Sequence, residues 1–366
     1  SIEPTMSTSQ IYKWTVIGAG PAGIAAVGKL IDNGVPPTDI AWVDPQFNVG
    51  HVGQKWQSVW SNTSVATFIQ FLRISPAFQY DSCTENFELH KMDDGSTCQL
   101  CVATKPLVWV TRKLMGKVVC FCNTVLSLEP YSTATGTWIL SLNNGHIFES
   151  NNVILAIGAK PRTIPSANVP ILPVEQALDV ATLATKVKQS DTIAVFGSSH
   201  SAIMIIRDLT KCGVKKIINF YKSPLVYAVF YPDGKILHDN TGLKGKTAEW
   251  AKANLDNGDS PCAAVDRHLS TAENIAQHLP ACTKVIYAIG FQQEFINVKG
   301  FPYPIPYDNK TGVIAKGLFG CGIAFPEFGP DAGGNMEMKV GMWKFIEYLE
   351  RVIPNWISGT KNIDHQ

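Results

Sequence analysis

Thr15-Val16-Ile17-Gly18-Ala19-Gly20-Pro21-Ala22-Gly23 is the stretch whose reading decides the fold. Three apolar residues without alternation read as a strand buried on both faces. A G-x-G-x-x-G turn follows, and it opens an alanine- and isoleucine-rich stretch that reads as a helix to about Ile31. Gly18 permits the tight turn, Gly20 lets a pyrophosphate approach with no Cβ in the way, and Gly23 lets the helix pack close to the strand. Pro21 and Ala22 stand in the first helical turn, where free N–H groups and the macrodipole favour negative charge. A second apolar run, Ile40-Ala41-Trp42-Val43, ends in Asp44, 21 residues after Gly23. A carboxylate at that distance is placed to accept hydrogen bonds from an adenosine ribose.

A related turn stands in the later half, Gly197-Ser198-Ser199-His200-Ser201-Ala202, after the apolar run Ile193 to Phe196. Ser199 replaces the middle glycine and Ala202 the last. Both are small, and serine hydroxyls add phosphate contacts. His200 lies inside this turn, as a contact to the cofactor or as part of the helix cap. The next strand, Lys216 to Tyr221, leads into Lys222 and Ser223 and not into an acid. An acid suits the free 2′-hydroxyl of NAD, and a cation suits the 2′-phosphate of NADP. Lys222 therefore favours NADPH, with NADH still open and an ordinary solvated lysine as the alternative. Two such turns imply two dinucleotides, with electrons passing between them, and the N-terminal one is the turn expected to hold FAD.

The length of 366 residues suits two domains or three, and 45% hydrophobic with 17% charged residues describes a chain with a large core. A net charge of +1 and the lack of a basic stripe argue against a nucleic-acid partner. No apolar run reaches the roughly 18 residues of a membrane span. Ser1 to Gln10 is polar and lacks the apolar core of a secretory signal. Nine cysteines, an odd number without a framework, read as reduced thiols in a cytoplasmic protein. Cys98-Gln99-Leu100-Cys101 is the one C-x-x-C; no second one pairs with it, so no metal site is expected. Oligomeric state is open, and a homodimer is compatible with these features.

Further along, Val118 to Leu128 and Thr137 to Ser141 read as strands, with Asn143-Asn144-Gly145 as the turn after the second. Val153 to Gly158 reads as a buried strand ending in glycine, and Ala159 to Pro165 as a proline-flanked linker. Residues 51–110 read as mixed structure over a cofactor, and 224–280 as polar and irregular with a helix near Thr247 to Leu255. Val285 to Phe291 mirrors the 153–158 strand. Gly317 to Gly322 reads as a strand into a glycine turn, and Glu337 to Arg351 as a helix with Met338, Met342, Phe345 and Leu349 on its packed face. The fold expected is α/β: two Rossmann-like, three-layer dinucleotide-binding domains, the second inserted in the first. Residues 1–162 and 297–366 form the FAD-binding domain and 163–296 the NAD(P)H-binding domain.

Two glycine turns, Leu155-Ala156-Ile157-Gly158 and Tyr287-Ala288-Ile289-Gly290-Phe291 together make the chain resemble flavoproteins with two dinucleotide-binding domains. Within that class it is most similar to the flavin-containing monooxygenases and more distantly to thioredoxin reductases. Ser58-Val59-Trp60-Ser61-Asn62-Thr63-Ser64 is similar to the monooxygenases' S-V-x-x-N-x-S segment, whose asparagine lies beside the flavin. Gly322-Ile323-Ala324-Phe325-Pro326 is similar to their late glycine turn. Thioredoxin reductases place Gly-Asp there; here the position is Ile323, so that carboxylate is missing. The monooxygenase fingerprint F-x-G-x-x-x-H is absent before the second turn, and Val65 and Ala66 replace the usual lysine and glutamate.

The resemblance implies an enzyme that uses FAD and NADPH to oxygenate a small molecule through a flavin hydroperoxide. It implies Asn62 as a hydrogen-bond donor at the reacting flavin, with a helix cap as its plain alternative. Trp56, Trp60 and Phe68 would form a dry wall, with His51 beside them. Gly158, Gly290, Gly322 and Ile323 join the cofactor-binding set. Two other functions remain: a flavin disulfide reductase working through Cys98 and Cys101, and a catalytically silent dinucleotide-binding protein.

Overall fold

Ile11–Ile17 is a strand whose last four residues are all buried. It pairs in parallel with Ile40–Val43 on one side and with Ile147–Leu155 on the other. Val119–Phe121 extends the sheet beyond Ile40–Val43, and Leu318–Gly320 pairs in parallel with the end of Ile147–Leu155. Trp14, Val16, Ile40 and Trp42 face one core, packed with Ile24, Phe71, Leu107 and Ile353 from the helices Pro21–Asp32, Val65–Ile74, Leu100–Met115 and Met342–Lys361. Ala41, Val43, Val153 and Leu155 face a second core with Trp138, Leu140 and Phe325. Both faces are covered, which is why these strands read as unbroken apolar runs. The sheet continues through antiparallel Thr137–Leu142 and Val125–Ser132 to Asn297–Val298.

The computed structural model describes residues 10–132, 137–165, 168–256 and 262–361. It separates into two units, Ser1–Ala159 with Gln293–Phe328 and Met338–Gln366, and Lys160–Gln292 with Gly329–Glu337. The sequence reading puts 329–337 in the first domain; by proximity they group with the second unit. That unit holds a four-stranded parallel sheet in the order Val265–Leu269, Lys216–Tyr221, Thr192–Phe196, Lys284–Tyr287. The α/β architecture with parallel dinucleotide-type sheets is thus present in both units.

Several elements differ from the sequence reading. The strand expected over 118–128 is two: Val119–Phe121 in the parallel part and Val125–Ser132 in the antiparallel part. They divide where Asn123 N–H turns back to the carbonyls of Asp44 and Phe121. Leu100–Met115, read as mixed structure, is a helix despite Pro106 inside it; Thr104 and Thr111 hydroxyls donate to the carbonyls four residues back. The last helix is Met342–Lys361 and not 337–351. Met336–Lys339 is a strand, Gly341 at φ +142° breaks the chain direction, and Met338 is exposed instead of packed. The helix near 247–255 is Gly245–Ala251, followed by a π turn to Asp256. Val265–Leu269, inside the region read as irregular, is an edge strand; its charged Asp266 and Arg267 hide the apolar pattern.

Candidate functional site

The first unit builds a cradle at the carboxyl ends of its parallel strands. Gly18 has φ +107°, and a Cβ there would lie 2.1 Å from the carbonyl oxygen of Ala156. At Gly23 a Cβ would lie 2.0 Å from the carbonyl oxygen of Gly18, so only glycine lets the helix start sit this close. Gly20 is different: its Cβ would meet only the Cα of Gly50, at 3.9 Å. That position is open, as a backbone that must admit a phosphate requires. Helix Pro21–Asp32 begins at Gly20 with no side-chain cap and no acid in its first turn, so its leading N–H groups remain for a ligand.

The turn is tied down from behind. Gly18 N–H donates to Val43 O at 2.8 Å, and Trp42 Nε1–H donates to Gly18 O at 2.8 Å. Asp44 is buried and accepts three backbone N–H groups: Ala19 on Oδ2 at 2.9 Å, Gln46 and Phe47 on Oδ1 at 2.8 and 2.7 Å. A carboxylate offers about four acceptor positions, so one is left for a ribose hydroxyl. Gly322 joins the same cradle: at φ +80° its Cβ would lie 2.7 Å from Ala22 Cβ, and half-buried Ile323 follows it. Gly158 (φ +77°) faces the His51 ring, 3.5 Å from where its Cβ would stand, and its carbonyl accepts from Glu294 N–H. His51 Nε2 lies 3.2 Å from Glu294 Oε1, a pair 243 positions apart that sequence reasoning had no means to find.

The second unit repeats the plan. Gly197 has φ +128°, and its Cβ would lie 2.2 Å from Ala288 O and 2.9 Å from Ala202 Cβ. Gly197 N–H donates to Phe220 O at 2.8 Å. The helix His200–Lys211 starts at Ser199, whose hydroxyl makes no cap bond, and half-buried Ser198 and Ser201 flank it. His200 Nδ1 accepts Lys244 N–H at 3.2 Å, which leaves the ring proton on Nε2. Burial first, then the charges of Lys244 and Arg207, push its pKa down to about 4. His200 is therefore a neutral donor and not a cation at ordinary pH.

The structure gathers Gly18, Gly20, Pro21, Ala22, Gly23, Asp44 and Gly322 around one turn, and Gly197, Ser198, Ser199, His200 and Ser201 around the other. Lys222 and Gly290 are exposed, just past the ends of the two strands that flank Thr192–Phe196. Asn62 is exposed and lies outside both gathered sets; among the described residues its side-chain oxygen accepts from Thr63 Oγ1, at 3.5 Å. The cap of the next helix is Ser64, which accepts from Thr67 N–H, so Asn62 is not the cap. Half-buried Trp56 is on the same loop, and Trp60 is 58% exposed, too open to wall off a site in this form.

Residues 63–228 match the family model of L-lysine 6-monooxygenase/L-ornithine 5-monooxygenase. The monooxygenase AgnR1 of Paecilomyces divaricatus is 30% identical over 394 residues, covering 96% of this chain and all of its relative. The chain belongs to the flavin-dependent monooxygenase family. Among solved structures, the flavin-containing monooxygenase from Stenotrophomonas maltophilia aligns over 97% of this chain and 99% of its own, at 14% identity and TM-score 0.60. The ornithine hydroxylase PvdA from Pseudomonas aeruginosa aligns over 96% of this chain and all of its own, at 13% identity and TM-score 0.62. These two likenesses agree on the fold.

Membership in the flavin-dependent monooxygenases makes the chain an oxidoreductase and sets aside both the disulfide reductase and the silent binding protein. The geometry agrees on the thiols. Cys98 is fully buried, burial raises its pKa, and the backbone of 98–101 is hydrogen-bonded to residues 57–61. A buried thiol zipped into a loop is a structural one. Among the described residues no helix is long and apolar enough to cross a membrane, and no cluster of His, Cys, Asp and Glu is placed to hold a metal.

Proposed function

We propose that this chain is an FAD- and NADPH-dependent monooxygenase acting on a small molecule, with FAD on the Gly18–Gly23 cradle and NADPH on the Gly197–Ala202 cradle. The observation that carries this reading is the pair of cradles. Each has a first glycine that no other residue can replace, a helix N-terminus left uncapped by side chains, and a strand end that anchors the turn. The residues fit the groups: Gly20 leaves room for a pyrophosphate, and Asp44 keeps one acceptor position for a ribose. Bound flavin supplies the two-electron and oxygen chemistry, and NADPH supplies the hydride.

The chain's own residues bind, orient and hold protons. Helix N–H groups at Ala22 and Gly23 and at His200–Ala202 neutralise phosphate charge. His200 donates from Nε2 toward the second cofactor. The Gly322–Ala324 turn packs on Ala22 and presents its backbone, with Ile323, where a carboxylate stands in thioredoxin reductases. The His51–Glu294 pair stands beside Gly158, able to exchange a proton at Nε2. Asn62 keeps the role that the family resemblance implies, a hydrogen-bond donor near the reacting ring.

The test is rapid mixing of NADPH-reduced, FAD-loaded enzyme with O2. A transient absorbance band, distinct from reduced and oxidised flavin and shortened by a substrate amine or thioether, supports the reading. Direct return to oxidised flavin with one peroxide per flavin refutes oxygenation.

A further inference from the structure

The two units align residue by residue through their strand registers, and they differ at the strand ends. In the first unit Val16, Trp42 and Cys120 lie side by side across three parallel strands, two residues before Gly18. In the second, Val195, Asn219 and Arg267 lie side by side, two residues before Gly197. Trp42 Nε1–H donates to Gly18 O at 2.8 Å, and Asn219 Nδ2–H donates to Gly197 O at 2.8 Å, so the equivalence holds at the level of single bonds. Two steps beyond stands Asp44 in the first unit and Tyr221 in the second. The acid that suits a ribose hydroxyl is replaced by a neutral ring, and Cys120 is replaced by an arginine.

Arg267 is held in one pose. Its Nε–H donates to Asn219 Oδ1 at 3.0 Å, and its guanidinium carbon lies 4.4 Å from the centre of the Tyr221 ring. Asn219 is itself fully buried and locked by bonds to the Val195 and Gly197 carbonyls. The guanidinium is thus wired through one side chain to the first glycine of the turn. Its Nη2 is buried and has no hydrogen-bond partner among the described residues. Asp256 is the acid whose charge reaches it, and that carboxylate already accepts the Tyr227 hydroxyl. A planar fork with donors to spare suits a phosphate, and a buried donor left unpaired is costly until one arrives.

We infer that Arg267, stacked on Tyr221, is the residue by which this chain selects NADPH over NADH, by binding the 2′-phosphate of the adenosine ribose. The inference rests on the reading of the second cradle as the NADPH site and names the group that discriminates there. Lys222, exposed on the surface beside it in sequence to Tyr221, adds only screened attraction.

The test is titration calorimetry of FAD-loaded enzyme with four probes: NADP+, NAD+, 2′,5′-ADP and 5′-AMP. Wild type binds NADP+ and 2′,5′-ADP more tightly than their partners without the phosphate. Arg267→Gln weakens NADP+ and 2′,5′-ADP by about 10- to 100-fold, the size of one charge-assisted bond, and leaves NAD+ and 5′-AMP within about twofold. Arg267→Lys keeps the charge but not the Nε–Asn219 bond, and retains an intermediate preference, which guards against loss of fold in the glutamine variant. An Arg267→Gln enzyme that keeps the wild-type ratio of NADP+ to NAD+ affinity overturns the inference and leaves the NADPH site standing. So does a collapse of that ratio in Lys222→Gln but not in Arg267→Gln. Failure of wild type to bind any of the four probes overturns the reading of the second cradle itself.

Discussion

Gly20→Ala separates binding from folding more cleanly than any other change in this chain. An alanine Cβ at position 20 has Gly50 Cα at 3.9 Å as its nearest neighbour, an ordinary van der Waals contact, and the backbone at φ −75° accepts any residue. The fold loses only the small preference of a helix N-cap for glycine over alanine, about 0.5–1 kcal/mol. The added methyl stands in the open face of the cradle, where the pyrophosphate passes. Moving the phosphate outward costs one charge-assisted bond, about 1.5–3 kcal/mol, which is about 10- to 100-fold in FAD affinity at 1.4 kcal/mol per factor of ten. Gly23→Ala is the control. Its methyl would lie 2.0 Å from Gly18 O, a backbone atom that cannot step aside. That variant loses stability and flavin together. The assay is fluorescence titration of apoprotein with FAD, alongside thermal unfolding of the same samples. A Gly20→Ala protein that binds FAD like wild type, or one that unfolds as early as Gly23→Ala, refutes the reasoning.

Other outcomes rest on single residues. Asp44→Ala leaves the buried Ala19 and Phe47 N–H groups without their acceptor; at about 1–3 kcal/mol for each, apoprotein melting falls by several degrees even without flavin. His200 has a folded pKa of about 4 against 6.5 for an unperturbed histidine, so the unfolded chain binds its proton first as pH falls. Stability is then full above about pH 7 and declines by on the order of 2 kcal/mol between about pH 6.5 and 4. Denaturant midpoints of His200→Gln lack that part of the decline. Cys98→Ser retains NADPH-driven turnover within about twofold, since the thiol is buried and structural; a loss of turnover with intact flavin content would bring the disulfide reductase back.

The glycine spacing made both turns legible, because a backbone that must reverse close against another strand's carbonyl admits only one residue type. Asp44 was legible for the same reason of fixed distance along a βαβ unit. Sequence did not show that its carboxylate is mostly spent on three backbone N–H groups, Ala19 in the glycine turn and Gln46 and Phe47 just after Asp44, because those donors carry no side-chain signature. Arg267 was missed since an edge strand carrying Asp266 and Arg267 lacks an apolar run, and only its pairing with Asn219 reveals it. The long helix 100–115 was hidden by Pro106 and by threonines that satisfy their hydroxyls on the helix itself. His51 and Glu294 meet across 243 positions, and nothing local to either marks the other. Asn62 rests on the motif match alone: its side chain is exposed in a loop, and its place beside the flavin is a proposal.

Asp44 has one further consequence, and it is kinetic. The donors that hold this carboxylate are Ala19, Gln46 and Phe47, all from the chain itself, so the pocket's back wall keeps its shape when vacated. Flavin exchange then requires no refolding step. Stripped protein should take up fresh coenzyme in a single second-order phase, at a rate set by encounter and not by a slow rearrangement.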